Sequence, residues 1–146
     1  VYCKLLSMRI LYTDGSCSPN PGPGGFAVVE NHKPVVLGSD KISTNIRMEG
    51  KALISAIKFV NGEECEIHTD SEFWINVVTK WAPGWKAKGW KKSTKGEIQN
   101  IDIVQELFEL HENSKAKLVW VKAHVGHNGN ELADEWANKA RAGAKI

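Results

Sequence analysis

Four acids in this 146-residue chain stand where they could act together. Asp14 and Asp70 each close an apolar, strand-like run, LLSMRILYTD at 5–14 and CEIHTD at 65–70, and each precedes a small residue that lets the chain turn. Ligands of open α/β sheets sit outside the carboxyl ends of the strands. Glu49, at the start of a helical pattern, and Asp134, in the expected first turn of another, could point to the same place. Carboxylates gathered in an apolar setting repel one another unless they are protonated or bridged by a cation. Four hard oxygen donors, without a Cys or His cluster, suit Mg²⁺ or Mn²⁺ and argue against Zn²⁺. On spacing alone a plainer reading stays open, because Asp after a strand is often a turn or cap residue.

Two further segments carry chemistry. The loop AHVGHNGN (123–130) holds His124 and His127 between glycines and asparagines. An imidazole beside a metal-bound phosphate could shuttle protons; the alternative is that both histidines hold the loop by hydrogen bonds. Residues 80–96, KWAPGWKAKGWKKSTKG, contain six lysines, three tryptophans and no acid. The formal net charge of +2 therefore divides into +6 here and −4 elsewhere. Lysine neutralises phosphates and tryptophan offers a flat face to a sugar or base, a composition suited to gripping a nucleic-acid backbone without reading sequence. Against this, a lysine run is usually a solvated face, and Trp81 or Trp90 could pack the base of a protruding element.

The elements that must position these groups follow from pattern. Strands are expected at 5–14, 26–30, 34–42, 65–70 and 117–122, with the Gly/Pro-rich stretch 15–25 as a turn and Asn31-His32-Lys33 as a hairpin. Helical periodicity runs over 48–60, from Ser71 as N-cap to about 80, over 98–113 and over 131–142, while 81–96 is too rich in Gly and Pro for one helix. The order β-β-β-α-β-α-α-β-α implies an α/β domain with a mixed sheet: an antiparallel hairpin part, then strands linked through helices. Length allows a single domain over 1–146, and 42% hydrophobic with 25% charged residues exclude wholesale disorder and collagen-like structure. Cys3, Cys17 and Cys65 show no metal-ligand spacing and are expected as free thiols. No apolar run approaches a membrane span or a secretory h-region, so a soluble, cytoplasmic chain is expected.

The motifs YTDGSC (12–17), NPGPGG (20–25), RME (47–49), TDS (69–71) and VKAHVGHNGNELADEWA (121–137) occur in one order, and on them the chain resembles the type 1 ribonuclease H family from about 10 to 142. The resemblance implies that family's five-stranded mixed sheet, three antiparallel strands then two parallel, flanked by helices. It implies an endoribonuclease that hydrolyses the RNA strand of RNA–DNA hybrids with two Mg²⁺ ions, Mn²⁺ substituting, and leaves 3′-hydroxyl and 5′-phosphate ends. The family's metal-binding acids match Asp14, Glu49, Asp70 and Asp134, and its catalytic loop histidine matches His124.

Substrate contacts are implied at Asn20, Thr44 and Asn45. The family's optional basic protrusion matches about 81–96, here with Trp81, Trp85, Lys86, Lys88, Trp90, Lys91 and Lys92 as hybrid-binding candidates. A monomer is expected. Two positions depart from the common pattern: Ile46 stands where many relatives carry Asn or Gln, and Glu72 replaces a common Gln beside Asp70. Other readings of the same features are a different two-metal polynucleotidyl transferase, integrase-like or junction-resolving, and a non-catalytic hybrid-binding module.

Overall fold

A computed structural model describes residues 8–91, 96–122 and 128–146. Five strands, β1 (Arg9–Cys17), β2 (Gly22–Glu30), β3 (Lys33–Ser43), β4 (Cys65–Thr69) and β5 (Ala116–Trp120), form one sheet in the order β3-β2-β1-β4-β5. The first three are antiparallel, and β4 and β5 run parallel to β1 and to each other. The helices are α1 (Asn45–Val60), α2 (Glu72–Asn76), α3 (Ala82–Ala87), α4 (Ile101–Glu112) and α5 (Asn128–Arg141), with a π-helical turn (Val77–Trp81) joining α2 to α3. This is the five-stranded mixed sheet that the sequence motifs imply.

Alternation along the strands divides the helices between the two faces. Neighbouring side chains of a strand point to opposite faces. A Cβ on Gly24 would fall 2.7 Å from Met48 Cγ of α1, whereas one on Gly25 would overlap the backbone of α5, 2.6 Å from the Ala137 oxygen. On the α1 side, Leu11, Leu53, Ile67, Trp74, Val104 and Leu107 make the centre of the core, all almost completely excluded from solvent. Burying each such side chain contributes roughly 1.5–3 kcal/mol.

Local chemistry sets the ends of α1. The Thr44 hydroxyl caps its start by accepting from Arg47 N at 3.1 Å, and Asn61 closes it in the left-handed conformation (φ 50°) that Asn tolerates.

Three expectations are corrected. The Gly/Pro-rich stretch 15–25 is mostly strand: β1 continues to Cys17 and β2 begins at Gly22, leaving only a short connection. These glycines allow helices to lie against the strand backbone, which propensity alone reads as a turn. Asp14 consequently lies inside β1, not at its end. The final helix starts at Asn128, so Asp134 falls in its second turn, and Asn128–Asn130 are helical where a loop was expected.

The contact between β2 and α5 leads to a stability prediction. Gly25→Ala forces the two backbones apart and should cost about 1–3 kcal/mol, read as a lower urea midpoint at unchanged m-value; an unchanged midpoint would show that the helix can shift freely.

Candidate active site

The pairing between β1 and β4 stops at Tyr12↔His68, two residues short of both Asp14 and Asp70. Beyond that point β1 continues against β2 while β4 ends, and the acids flank the opening. Asp14 is buried, with 5% exposure. Glu49 is brought in from α1 because Gly15 has no side chain: a Cβ there would overlap the Glu49 nitrogen and the Met48 carbonyl carbon. Carboxylate oxygens of Asp14, Glu49 and Asp70 all lie within 4.8 Å of one another. Asp134 of α5 joins them through a side-chain hydrogen bond with Asp14. Three of the expected acids therefore share one cluster, and the fourth, Asp134, lies beside Asp14.

Their electrostatics show the cost of that convergence. Burial, then the charge of Asp70 and the contact with Asp134, holds the Asp14 carboxyl far above the ordinary carboxylate range, opposed by the Gly15 N–H donated to Oδ1 at 2.9 Å. Burial and the charge of Asp70 push Glu49 up to about 7, against a Ser71 hydrogen bond that favours the ionised form. An all-oxygen donor set of clustered acids that resist simultaneous ionisation fits hard divalent cations, which supply the missing positive charge.

Neighbouring contacts fix these ligands from behind. Trp74 N donates to Ser71 Oγ at 3.3 Å, so Ser71 both caps α2 and holds Glu49. Arg47 forks onto Asp102 of α4 at 3.1 and 2.8 Å and reaches Asn100 Oδ1 at 3.2 Å, tying the first turn of α1 to α4. On α5, Ser16 donates to Asn138 Oδ1 at 2.6 Å, and Arg141 bonds both, locking the helix that carries Asp134 onto β1. Sequence reasoning identified Ser71 as a cap but missed its bond to Glu49. It also missed Arg47, although RME places that residue two positions before the acid.

The expected substrate-contact residues divide into two groups. Asn20, Thr44 and Asn45 are brought together: Asn45 Oδ1 accepts from Cys17 N at 2.7 Å and Asn45 N donates to Asn20 Oδ1 at 3.2 Å. In the basic segment, Trp81 is exposed (42%) and forms an aromatic row with Phe73 and Trp85, ring centroids 6.0 and 6.2 Å apart. Lys80 and Lys88 line the groove beside that row. Trp90 instead packs edge-on to Phe108 of α4, and Lys86 pairs with Glu109 at 3.1 Å over the Phe108 ring. Lys91 is exposed, whereas His124 and Lys92 lie outside the described residues. Among the described residues Cys17 and Cys65 are free and buried, and no helix is long and apolar enough to cross a membrane.

The raised carboxyl groups have a stability consequence with a definite sign. A native-state value of about 7 for Glu49, against an ordinary 4.5, means that the folded state binds the proton more tightly. Its stabilising effect is complete below about 4.5 and is lost as pH rises through 7, with Asp14 adding in the same direction. Asp14→Asn should therefore raise the Tm of the metal-free protein above pH 7, by about 1–2 kcal/mol or roughly 3–8 °C. Thermal unfolding across pH checks this, and a lowered Tm would show that the acids do not strain the fold.

Comparison with known proteins agrees with the geometry. The RNase H family model matches residues 7–142. The chain is 44% identical over 134 residues to a ribonuclease H of Polynucleobacter asymbioticus, covering 89% of this chain and 87% of that one. It is 42% identical over 132 residues to a ribonuclease H of Caulobacter sp. strain K31, covering 88% and 86%. Among solved structures it is similar to LC9-RNase H1, a type 1 RNase H with the type 2 active-site motif, with TM-score 0.80, 28% identity and coverage of 93% and 72%. The fold also matches a foamy viral protease-reverse transcriptase in complex with RNA/DNA hybrid, with TM-score 0.75, 19% identity and coverage of 91% of this chain and 20% of that one. With its acids converging and its length matched almost throughout, the chain belongs to the ribonuclease H family.

Proposed function

We propose that this protein is an endoribonuclease that hydrolyses the RNA strand of RNA–DNA hybrids, leaving 3′-hydroxyl and 5′-phosphate ends. The observation that carries the reading is the approach of Asp14, Glu49 and Asp70 oxygens within 4.8 Å, joined by Asp134, in a chain of this family. A module that only bound hybrid would gain nothing from gathering negative charge where a phosphate must sit. Two Mg²⁺ ions, with Mn²⁺ as a substitute, are the cofactor this donor set suits; when bound they would activate water and stabilise the leaving 3′-oxygen.

The chain's own groups supply the rest. Asp14 and Asp70 face the opening in the sheet, and Glu49 and Asp134 reach it from two helices, so the four acids would hold the cations. Asn20, Thr44 and Asn45 form a polar edge for substrate beside α1, with Ile46 (40% exposed) offering only apolar contact. The row Phe73, Trp81 and Trp85, with Lys80, Lys88 and Lys91, grips the hybrid backbone by stacking and charge. Trp90 and Lys86 serve that grip indirectly, by packing the segment's base on Phe108 and Glu109. His124 is assigned proton transfer and product release on the family resemblance. The four acids come from one chain, which fits a monomer, and the unpaired thiols of Cys17 and Cys65 fit a reducing cytoplasm.

Incubating labelled RNA–DNA hybrid, RNA duplex and DNA duplex side by side with Mg²⁺ tests activity and substrate class together. Cleavage of the RNA strand of the hybrid alone is expected. No cleavage at saturating protein would falsify the enzyme reading, and equal cutting of DNA duplex would favour another polynucleotidyl transferase. Asp70→Asn should abolish cleavage while hybrid binding persists. Lys88→Ala with Lys91→Ala should raise KM far more than it lowers kcat and reduce the salt slope of binding by about 1 for each phosphate no longer neutralised. Lys86→Ala should have a smaller effect on that slope, because its ammonium is already paired with Glu109.

A further inference from the structure

Trp74 is the largest fully buried side chain among the described residues, and it joins the segments that carry two of the four acids. It lies in α2, four positions after Asp70, and its indole reaches α1 on either side of Glu49. Nε1 donates to the Ile46 carbonyl at 2.7 Å, three positions before that acid. The ring then passes over Gly50, the residue after it: a Cβ on Gly50 would fall 2.8 and 2.9 Å from Cζ2 and Cε2 of the indole and 2.6 Å from Ile103 Cγ2. Glycine weakens a helix interior relative to alanine, and the backbone at Gly50 shows no left-handed conformation that would call for one. The closeness of the indole and of Ile103 accounts for it.

A buried indole N–H needs an acceptor, and the one Trp74 takes is a main-chain carbonyl in the first turn of the helix that carries Glu49. Ile46 O lies one turn before the Gly50 N–H, its ordinary helical donor, and the indole takes the remaining lone pair. The backbone of Trp74 meanwhile donates to Ser71 Oγ, the hydroxyl that bonds Glu49. One residue thus touches α1 through its side chain and the Glu49 partner through its main chain.

We propose that Trp74 is a positioning residue that sets the separation of Glu49 and Asp70, and with it the affinity of the acids for divalent cations. The indole locks the first turn of α1 to the first turn of α2, with Gly50 providing the slot. Mutual repulsion would otherwise drive the two carboxylates apart, and the hydrogen bond to main chain opposes that drift. This inference rests on the metal-dependent reading above.

The test separates the hydrogen bond from the packing. Trp74→Phe removes Nε1 and replaces the indole by a single smaller ring, whereas Leu107→Ala, in the same core, removes packing alone. Mg²⁺ binding to the intact protein is measured without substrate, by calorimetry well below Tm, and Tm is measured alongside. Trp74→Phe is expected to lower Tm and to weaken Mg²⁺ binding about tenfold, the scale of losses at groups that orient metal ligands. Leu107→Ala should lower Tm on a similar scale but keep wild-type Mg²⁺ binding. Wild-type Mg²⁺ affinity in Trp74→Phe, or an equal loss of Mg²⁺ affinity in Leu107→Ala, would reduce Trp74 to a core residue. Absence of Mg²⁺ binding by the wild-type protein would overturn the metal reading itself, and the positioning role with it.

Discussion

Repulsion among buried carboxylates is the constraint from which most of this structure follows. Two full negative charges 4.8 Å apart cost on the order of 3 kcal/mol at an effective dielectric of 20, and at least three such groups share one opening in the sheet. The raised proton affinities of Asp14 and Glu49 express the same cost chemically. A cluster of this kind cannot assemble on loops, which would relax and let the acids separate. Here each acid sits within, or directly after, an element fixed by its own packing.

The fixing is distributed. Gly15 lets α1 approach β1 closely enough to present Glu49, while Arg47 and Asp102 hold the first turn of that helix against α4. Ser16, Asn138 and Arg141 hold α5, and through it Asp134, on the other face of the sheet. The two faces are thus held by separate contacts, and their acids come together at the gap where the β1–β4 pairing ends. Function and stability pull in opposite directions at that gap, since the groups that would bind cations are those that weaken the metal-free fold.

Much of this was legible in the sequence because strand and helix periodicities were strong. Four of the strands' positions and all four acids could be placed from short motifs, since Asp14, Glu49, Asp70 and Asp134 each lie in or beside an element with a clear pattern. What propensity could not show was the meaning of the glycines between 15 and 25. Gly15, Gly24 and Gly25 are strand residues made small by the helices lying on them, a tertiary cause invisible locally. The sorting of the basic segment was equally hidden: Trp81 and Trp90 look alike in sequence, yet one is exposed and the other rests on Phe108, 18 positions later. Trp74 read as another apolar position of a helix, because the carbonyl it bonds lies 28 residues earlier.

The π-helical turn at Val77–Trp81 shifts the register of the helical rod in which it lies. A helix advances about 100° per residue, and a π turn takes in one residue more than an α turn for each hydrogen-bonded loop. The row Phe73, Trp81 and Trp85 therefore spans the turn, its later rings out of the phase an unbroken α-helix would give them. On one continuous rod of helix Trp74 thus faces the core while Trp81 is offered to solvent.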